Sequence, residues 1–460
     1  MNPATPSSPE IFDHGLPSLQ RQFSLVAVLA AMVLVVLDGA IANVALPTIA
    51  STLKVSPADS VWIVTAYQIA LVVAILPTAA LGESLGYRRV FLLGVSIFTA
   101  ASAGCALSPS LGWLLTARFV QGLGGAAMMA LAVALLRFVY PPQRLGAVIG
   151  WNSLTIACSA ALGPSIGAAI ISFASWPWLF VVNLPVGAVV LLAGRALPAP
   201  QGTARKLDLV SVALNAATFG GFFMGVNYLA IEPVYGGGLL ALAVVCLVAL
   251  IRREMPVHAP IIPLDLLRDH SFRISVIASV CCFSGQMSSY IALPFYLQHG
   301  LHQDALRTGI YMTPWPLAVA FAGPLSGRLT DRFSTAWLCA TGCFCLATGL
   351  ALISLWPFNG NLYPLIFFSI LCGLGFGFFQ VPNNRNMLLS APRQRSGAAG
   401  GMQGMARLTG QTVGALVMTL LFSFDSVEAV PRLGLGFAAV LALAGGLVSV
   451  LRVRDAGKAS

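Results

Sequence analysis

Charge is what this chain has least of. Charged residues make up 9% of its 460 residues, against about 25% in an average soluble domain. A soluble reading would need several domains with almost nothing to solvate their surfaces. No disulfide framework or zinc site is in view either, because all nine cysteines lie within apolar stretches and no pair falls in a loop. The five histidines (His14, His258, His270, His299, His302) sit in the tail or loops. Glycine-rich turns lack both a preceding strand and a phosphate-loop lysine, which sets ATP hydrolysis aside. Residues 1–22 lack the charged start and cleavage site of a signal peptide and read as a disordered cytoplasmic tail. The net charge of +10 forms no patch for nucleic acid; it is spread over short loops between apolar runs.

What is present is apolar length. Hydrophobic residues are 58% of the chain, and a bilayer crossing needs about 20 of them in a row. By that rule the first six spans fall near 23–50, 60–82, 89–107, 111–136, 145–173 and 178–194. Two follow near 208–230 and 236–251, and six more near 273–297, 306–327, 335–356, 361–383, 396–422 and 433–450. Basic residues test this map, since cytoplasmic loops are enriched in them. Twenty of the 25 Lys and Arg fall on the side of the N-terminus, and only Lys54, Arg307 and Arg432 fall on the other. Arg118 and Arg407 lie inside spans. An even number of crossings with both termini cytoplasmic follows.

A turn after the second span, Gly82-Glu83-Ser84-Leu85-Gly86-Tyr87-Arg88-Arg89, has a weak partner after the tenth, running from Gly323 to Asp331 and Arg332. The expected fold is therefore an all-α membrane protein of fourteen transmembrane helices: two six-helix bundles, 23–195 and 273–451, with two inserted helices at 196–252. A cytoplasmic loop at 253–272 and a tail at 452–460 complete it. Two related halves around a central cavity suit a transporter.

Among fifteen acidic residues, Asp38 alone lies near the middle of a span. A charge at that depth costs about 2.5–3.5 kcal/mol or more, and such residues mark ion or substrate paths. Low-dielectric surroundings favour the neutral form of a carboxyl. Asp38 can thus hold a proton in one state and an organic cation in another, and a single carboxylate favours monovalent cations. The alternative is a structural Asp bonded to a neighbouring helix. Arg118, early in the fourth span, either snorkels to the headgroups or acts as an interior cation tuning a carboxylate. Arg407 either closes a hydrogen-bond network or contacts substrate. Gly163, Pro164 and Gly167 make a small-residue face with a proline break, read as a packing hinge. Tyr67, Gln68, Trp151, Asn152, Tyr290, Tyr311 and Gln380 are candidates to line the cavity, unless they serve interhelical bonds or interfacial belts.

These motifs resemble the fourteen-span drug:proton antiporter branch of the major facilitator superfamily, over nearly the whole chain. Leu37-Asp38-Gly39-Ala40-Ile41-Ala42-Asn43-Val44-Ala45-Leu46-Pro47 is similar to that branch's first-span signature. The segment around Arg118, Gln121 and Gly122 is similar to a fourth-span motif linked to proton transfer, and Gly163-Pro164-x-x-Gly167 to the fifth-span antiporter motif. Phe180-x-x-Asn183-x-Pro185, Leu207-Asp208 and Pro260-Ile261-Ile262-Pro263-Leu264 are similar to further landmarks of the branch. Glu83 stands where an Asp locks the bundles in the family, with Tyr87 in place of an arginine; Arg88 and Arg89 follow, and the later copy keeps Asp331 and Arg332. The resemblance implies a monomeric, proton-coupled multidrug exporter of the inner membrane, not an enzyme. It would need no cofactor beyond the proton gradient, its partners being a small-molecule substrate, protons and the bilayer. It would export lipophilic, monovalent cationic compounds. The runner-up is export of an amino acid, sugar or siderophore, with Arg118 and Arg407 binding an anionic group. A non-transporting sensor is a third reading, disfavoured because no soluble signalling domain is present.

Overall fold

In hydrocarbon every backbone N–H and C=O must be satisfied within its own segment, so runs this apolar fold as helices. The computed structural model describes residues 17–199, 208–229, 232–254, 264–330, 332–358, 361–391, 396–424 and 429–456. Its first six helices are α1 (Ser18–Leu53), α2 (Pro57–Leu85), α3 (Tyr87–Ala106), α4 (Leu111–Val139), α5 (Pro142–Phe173) and α6 (Trp178–Ala196). Two more, α7 (Leu209–Leu229) and α8 (Pro233–Glu254), precede α9 (His270–Phe295). Then come α10a (Ala305–Met312), α10b (Pro314–Leu329), α11 (Thr335–Leu355), α12 (Tyr363–Ser390), α13 (Ser396–Phe424) and α14 (Val430–Ala456).

Local chemistry sets the helix ends. Ser56 caps α2 by accepting from the Asp59 N–H at 3.1 Å, and Asp269 caps α9 by accepting from the Phe272 N–H at 2.7 Å. The turn between α2 and α3 is a single residue, Gly86, at φ 97°, a conformation that only glycine adopts without strain. Among the described residues, twelve helices are long and apolar enough to cross a membrane. The two other expected spans fall on α5 and α10. In α5 the stretch Cys158–Phe173 is apolar over a shorter length among the described residues. In α10 the helix breaks at Thr313 because Pro314 has no N–H to give to Ile310. Pro185 likewise explains the break at Val182 within α6, leaving the Val181 carbonyl without a donor.

Helices α1 to α6 pack among themselves, as do α9 to α14, and the two groups meet where α2 lies on α13, α5 on α10 and α1 on α9. Both groups use the same device. In the first, a Cβ on Gly122 would lie 2.6 Å from the Tyr67 carbonyl and one on Gly124 2.6 Å from that of Gly94. In the second, a Cβ on Gly373 would lie 2.2 Å from the Trp315 carbonyl and one on Gly375 2.6 Å from that of Gly342. Glycines two apart on α4 and on α12 thus let the second and third helix of each group approach at backbone contact. This repeat is spatial, and stronger than the turn motif.

The pair α7–α8 packs on itself and touches α2 and α13, the Asn215 amide donating to the Val73 carbonyl at 2.8 Å. At its base Asp208 accepts from Arg253 at 2.7 and 3.0 Å. Those bonds hold the Asp208 carboxyl well below the usual carboxylate range. A group so depressed stabilises above its unfolded range and is lost only in strong acid. It is a clip between helix ends and not a proton carrier.

Candidate functional site

Depth makes Asp38 expensive, and five helices converge to satisfy it. Its Oδ2 accepts from Arg118 Nη1 at 2.5 Å, and its Oδ1 from Asn183 Nδ2 at 2.7 Å and Gln121 Nε2 at 3.0 Å. Arg118 and Gln121 share one face of α4, and Arg118 Nη1 also donates to Gln121 Oε1 at 2.6 Å. The network closes on α3, where Ser102 accepts from Gln121 Nε2 at 2.8 Å, and on α2, where the Ile63 carbonyl accepts from Arg118 Nε at 3.1 Å. Rings of Tyr67 and Phe180 face the guanidinium carbon at 4.3 and 5.5 Å. Asp38 is 2% exposed and Arg118 0%, so Arg118 does not snorkel. Asp38 is thus bonded to neighbouring helices, as one of the two readings expected, and it pairs with buried Arg118.

The central cavity of about 600 Å³ lies on the other side of Tyr67. Of the expected lining residues, Tyr67, Gln68, Tyr290, Gln380 and Arg407 contribute to its wall. Trp151 is 58% exposed and lies off that wall, as do buried Asn152 and half-buried Tyr311. Asp38 and Arg118 are not on the wall either, although Gly39 and Ala40 are. The carboxylate therefore points away from the cavity. The Tyr67 hydroxyl donates to the Val35 carbonyl at 3.2 Å, which fixes the ring as a partition between the two compartments. Several wall atoms are buried with no hydrogen-bond partner: Gln68 Oε1, Asn43 Oδ1 and Arg407 Nε. Such atoms are rare in native proteins and are open to a polar partner such as water or a ligand.

The small-residue face of α5 sits directly behind this arrangement. A Cβ on Gly163 would fall 2.3 Å from the Ala40 Cβ, and one on Gly167 3.2 Å from the Ile41 carbonyl. On its other side α5 meets α10, where the Ser165 and Thr313 hydroxyls hydrogen-bond at the break in that helix. A Cβ on Gly309 would lie 3.0 Å from the Pro164 carbonyl. The motif thus joins the helix of Asp38 to the opposite bundle. Gly163→Ala forces α5 off α1, at the about 1–3 kcal/mol typical of overpacking. Its thermal midpoint in detergent is expected to fall, while Gly400→Ala, in a helix and with nothing within 4 Å of the added Cβ, is expected to leave it unchanged or slightly raised. Equal midpoints would show that the contact is not tight.

At the ends of the helices, Glu83 and Arg89 are exposed and Arg88 half-buried. Tyr87 packs on Phe138, ring centroids 5.3 Å apart. In the later copy Arg332 is exposed and Arg385 donates to Thr330. Asp331 lies outside the described residues. One site went unread in the sequence. Arg452 is 7% exposed and bonded through Nη1 to Ser275 at 3.1 Å and through Nη2 to Asn383 at 3.0 Å and Ser449 at 3.1 Å. It was assigned to a cytoplasmic tail because the expected span stopped at 450, whereas α14 continues to Ala456.

The Major Facilitator Superfamily model matches residues 28–415 and 276–460. The uncharacterized transporter YebQ of Escherichia coli (strain K12) is 44% identical, covering 97% of this chain and 98% of that protein. The puromycin resistance protein pur8 of Streptomyces alboniger is 30% identical over 87% of this chain and 82% of its own length. In fold, the chain is similar to the crystal structure of a bacterial homolog of the human lysosomal transporter Spinster, inward-facing and unoccupied. That likeness has a TM-score of 0.68 at 15% identity and covers 95% of this chain and 98% of that one.

Proposed function

The chain belongs to the Major Facilitator Superfamily and is a multi-pass membrane transporter, and we propose that it is a proton-coupled exporter of lipophilic organic compounds. The observation that carries this reading is one buried carboxylate, Asp38, bonded to Arg118 behind the wall of an amphipathic cavity between two helix bundles. Three N–H donors suit a carboxylate acceptor. A proton arriving there removes the countercharge of Arg118 and loosens five helices together. Because Tyr67 touches both compartments, the change is passed to the cavity without direct contact between proton and substrate. A preference for monovalent cations, expected from Asp38, finds no support in the cavity, where the carboxylate is absent. The relative named for puromycin resistance is consistent with drug export.

The proposal includes fourteen crossings, with α5 and α10 spanning beside α1 and α12. Both termini would then lie on the cytoplasmic side of the inner membrane, in agreement with the placement of Lys and Arg. The working unit is a monomer, and the proton gradient is its energy source. Reconstituted protein is expected to move a lipophilic dye when a pH gradient is imposed. A neutral dye exchanged for one proton also carries charge, so voltage drives it too, by about 2.3 kcal/mol per charge per 100 mV. Dye movement indifferent to collapse of both gradients would sink the reading.

A further inference from the structure

Among the described residues lining the cavity, Arg407 is the sole charged one, and it is positive. Its Nε is buried with no hydrogen-bond partner, and no ion pair to it is found among the described residues. Half-buried Arg407 differs in this from the two buried arginines, which each leave one nitrogen unpartnered but are otherwise held: Arg118 by Asp38, and Arg452 by Asn383, Ser275 and Ser449. A guanidinium kept in an enclosed space without a counterion is costly. The same group is well suited to receive a planar anion, which its forked donors bind in two-pronged fashion. Asp38 cannot serve as counterion, since its two oxygens already accept from three donors. A cation entering the cavity would meet Arg407 and no carboxylate.

We infer that Arg407 forms an anion subsite, and that this transporter takes monoanionic organic compounds with an apolar, ring-containing body, carboxylates above all. The body would lie against Tyr67, Tyr290, Phe283 and Phe376, which line the same cavity. The amide Gln68, with its free Oε1, would serve a donor on the ligand. This narrows the substrate class of the exporter proposed above and rests on that reading for transport, but not for binding.

The test uses three probes on one scaffold: 1-pyrenebutyrate, its primary amide, and 1-pyrenebutylamine, each titrated against the purified full chain by fluorescence. The wild-type protein is expected to bind the carboxylate roughly tenfold or more tighter than the amine, the range for a charge-assisted hydrogen bond. Arg407→Gln removes that preference and leaves amide binding unchanged; Arg407→Lys keeps most of it. Equal or tighter binding of the amine by the wild type, or an undiminished preference in Arg407→Gln, overturns the subsite. If Arg407→Gln loses all binding, the wild type decides by salt. Rising ionic strength must weaken the carboxylate and spare the amide, and an equal response overturns the inference. Proton coupling is judged separately, by pH-driven transport of the amide. An amide that binds and is not driven refutes the coupling and leaves the anion subsite standing.

Discussion

Asp38→Asn is expected to abolish pH-driven export while leaving exchange of substrate for substrate intact. The change removes one charge and almost no volume, so the packing of α1 against α5 at Ala40 and Gly163 is preserved. What is lost is the carboxylate partner of Arg118. Without it the cycle has no proton to carry, and the driven rate falls by about 100-fold or more, equivalent to about 2.7 kcal/mol of barrier. Substrate exchange needs no proton and uses the cavity wall, to which Asp38 does not belong. Initial rates in proteoliposomes, driven and in exchange mode, check both halves of the statement. Equal driven rates in the variant and the wild type would remove Asp38 from the coupling.

Arg118→Gln carries the second large effect, and it falls on folding. Removing one member of a buried pair leaves an uncompensated charge, at about 3–5 kcal/mol. Arg118 also sits on the Tyr67 ring and donates to the Ile63 carbonyl, so α2 loses its tie to α4 as well. Asp38→Asn likewise leaves Arg118 unpaired, so the thermal midpoint in detergent is expected to drop in both single variants. The double variant, Asp38→Asn with Arg118→Gln, removes both charges together and regains much of that stability without regaining transport. Such non-additivity is the mark of a coupled pair. If the two single losses simply summed, the pair would not be the unit described here.

Depth and composition made much of this legible. Asp38 stood out because a carboxyl in mid-span must be satisfied by something, and Arg118, read either as snorkelling or as an interior cation tuning a carboxylate, is the group that pairs with it. The small-residue pattern at Gly163 and Gly167 announced a close helix contact. Which helix it touches is a tertiary fact, and no spacing within α5 gives it. The same limit applies to Asn183 and Ser102, ordinary polar residues in their own helices that matter only because α6 and α3 bring them to Asp38. Facing direction was also illegible: Trp151 and Tyr311 lie in spans beside cavity helices, yet neither reaches the wall. Nor did the pattern of Lys and Arg separate Arg452, buried among serines and Asn383, from arginines in solvent. Proline alone did not tell a break from a tolerated residue. Pro314 and Pro185 sit at breaks, whereas Pro164, expected as a break, lies within continuous α5, as Pro47, Pro77 and Pro382 lie within their helices.

Asymmetry between the halves follows from the glycine register. Four residues before Gly122 the first bundle has Arg118; four before Gly373 the second has Ser369, buried with its hydroxyl unpartnered. The buried Asp–Arg pair therefore belongs to the first bundle, while the second contributes Arg407 to the cavity wall.

The most direct test is the proton itself. Purified protein in weakly buffered detergent, with a pH-indicating dye, is expected to exchange a proton with solvent when 1-pyrenebutyrate amide is added. Asp38→Asn, binding the same compound, is expected to exchange none. A proton signal of equal size in the variant would contradict the account, because the coupling group would then lie elsewhere.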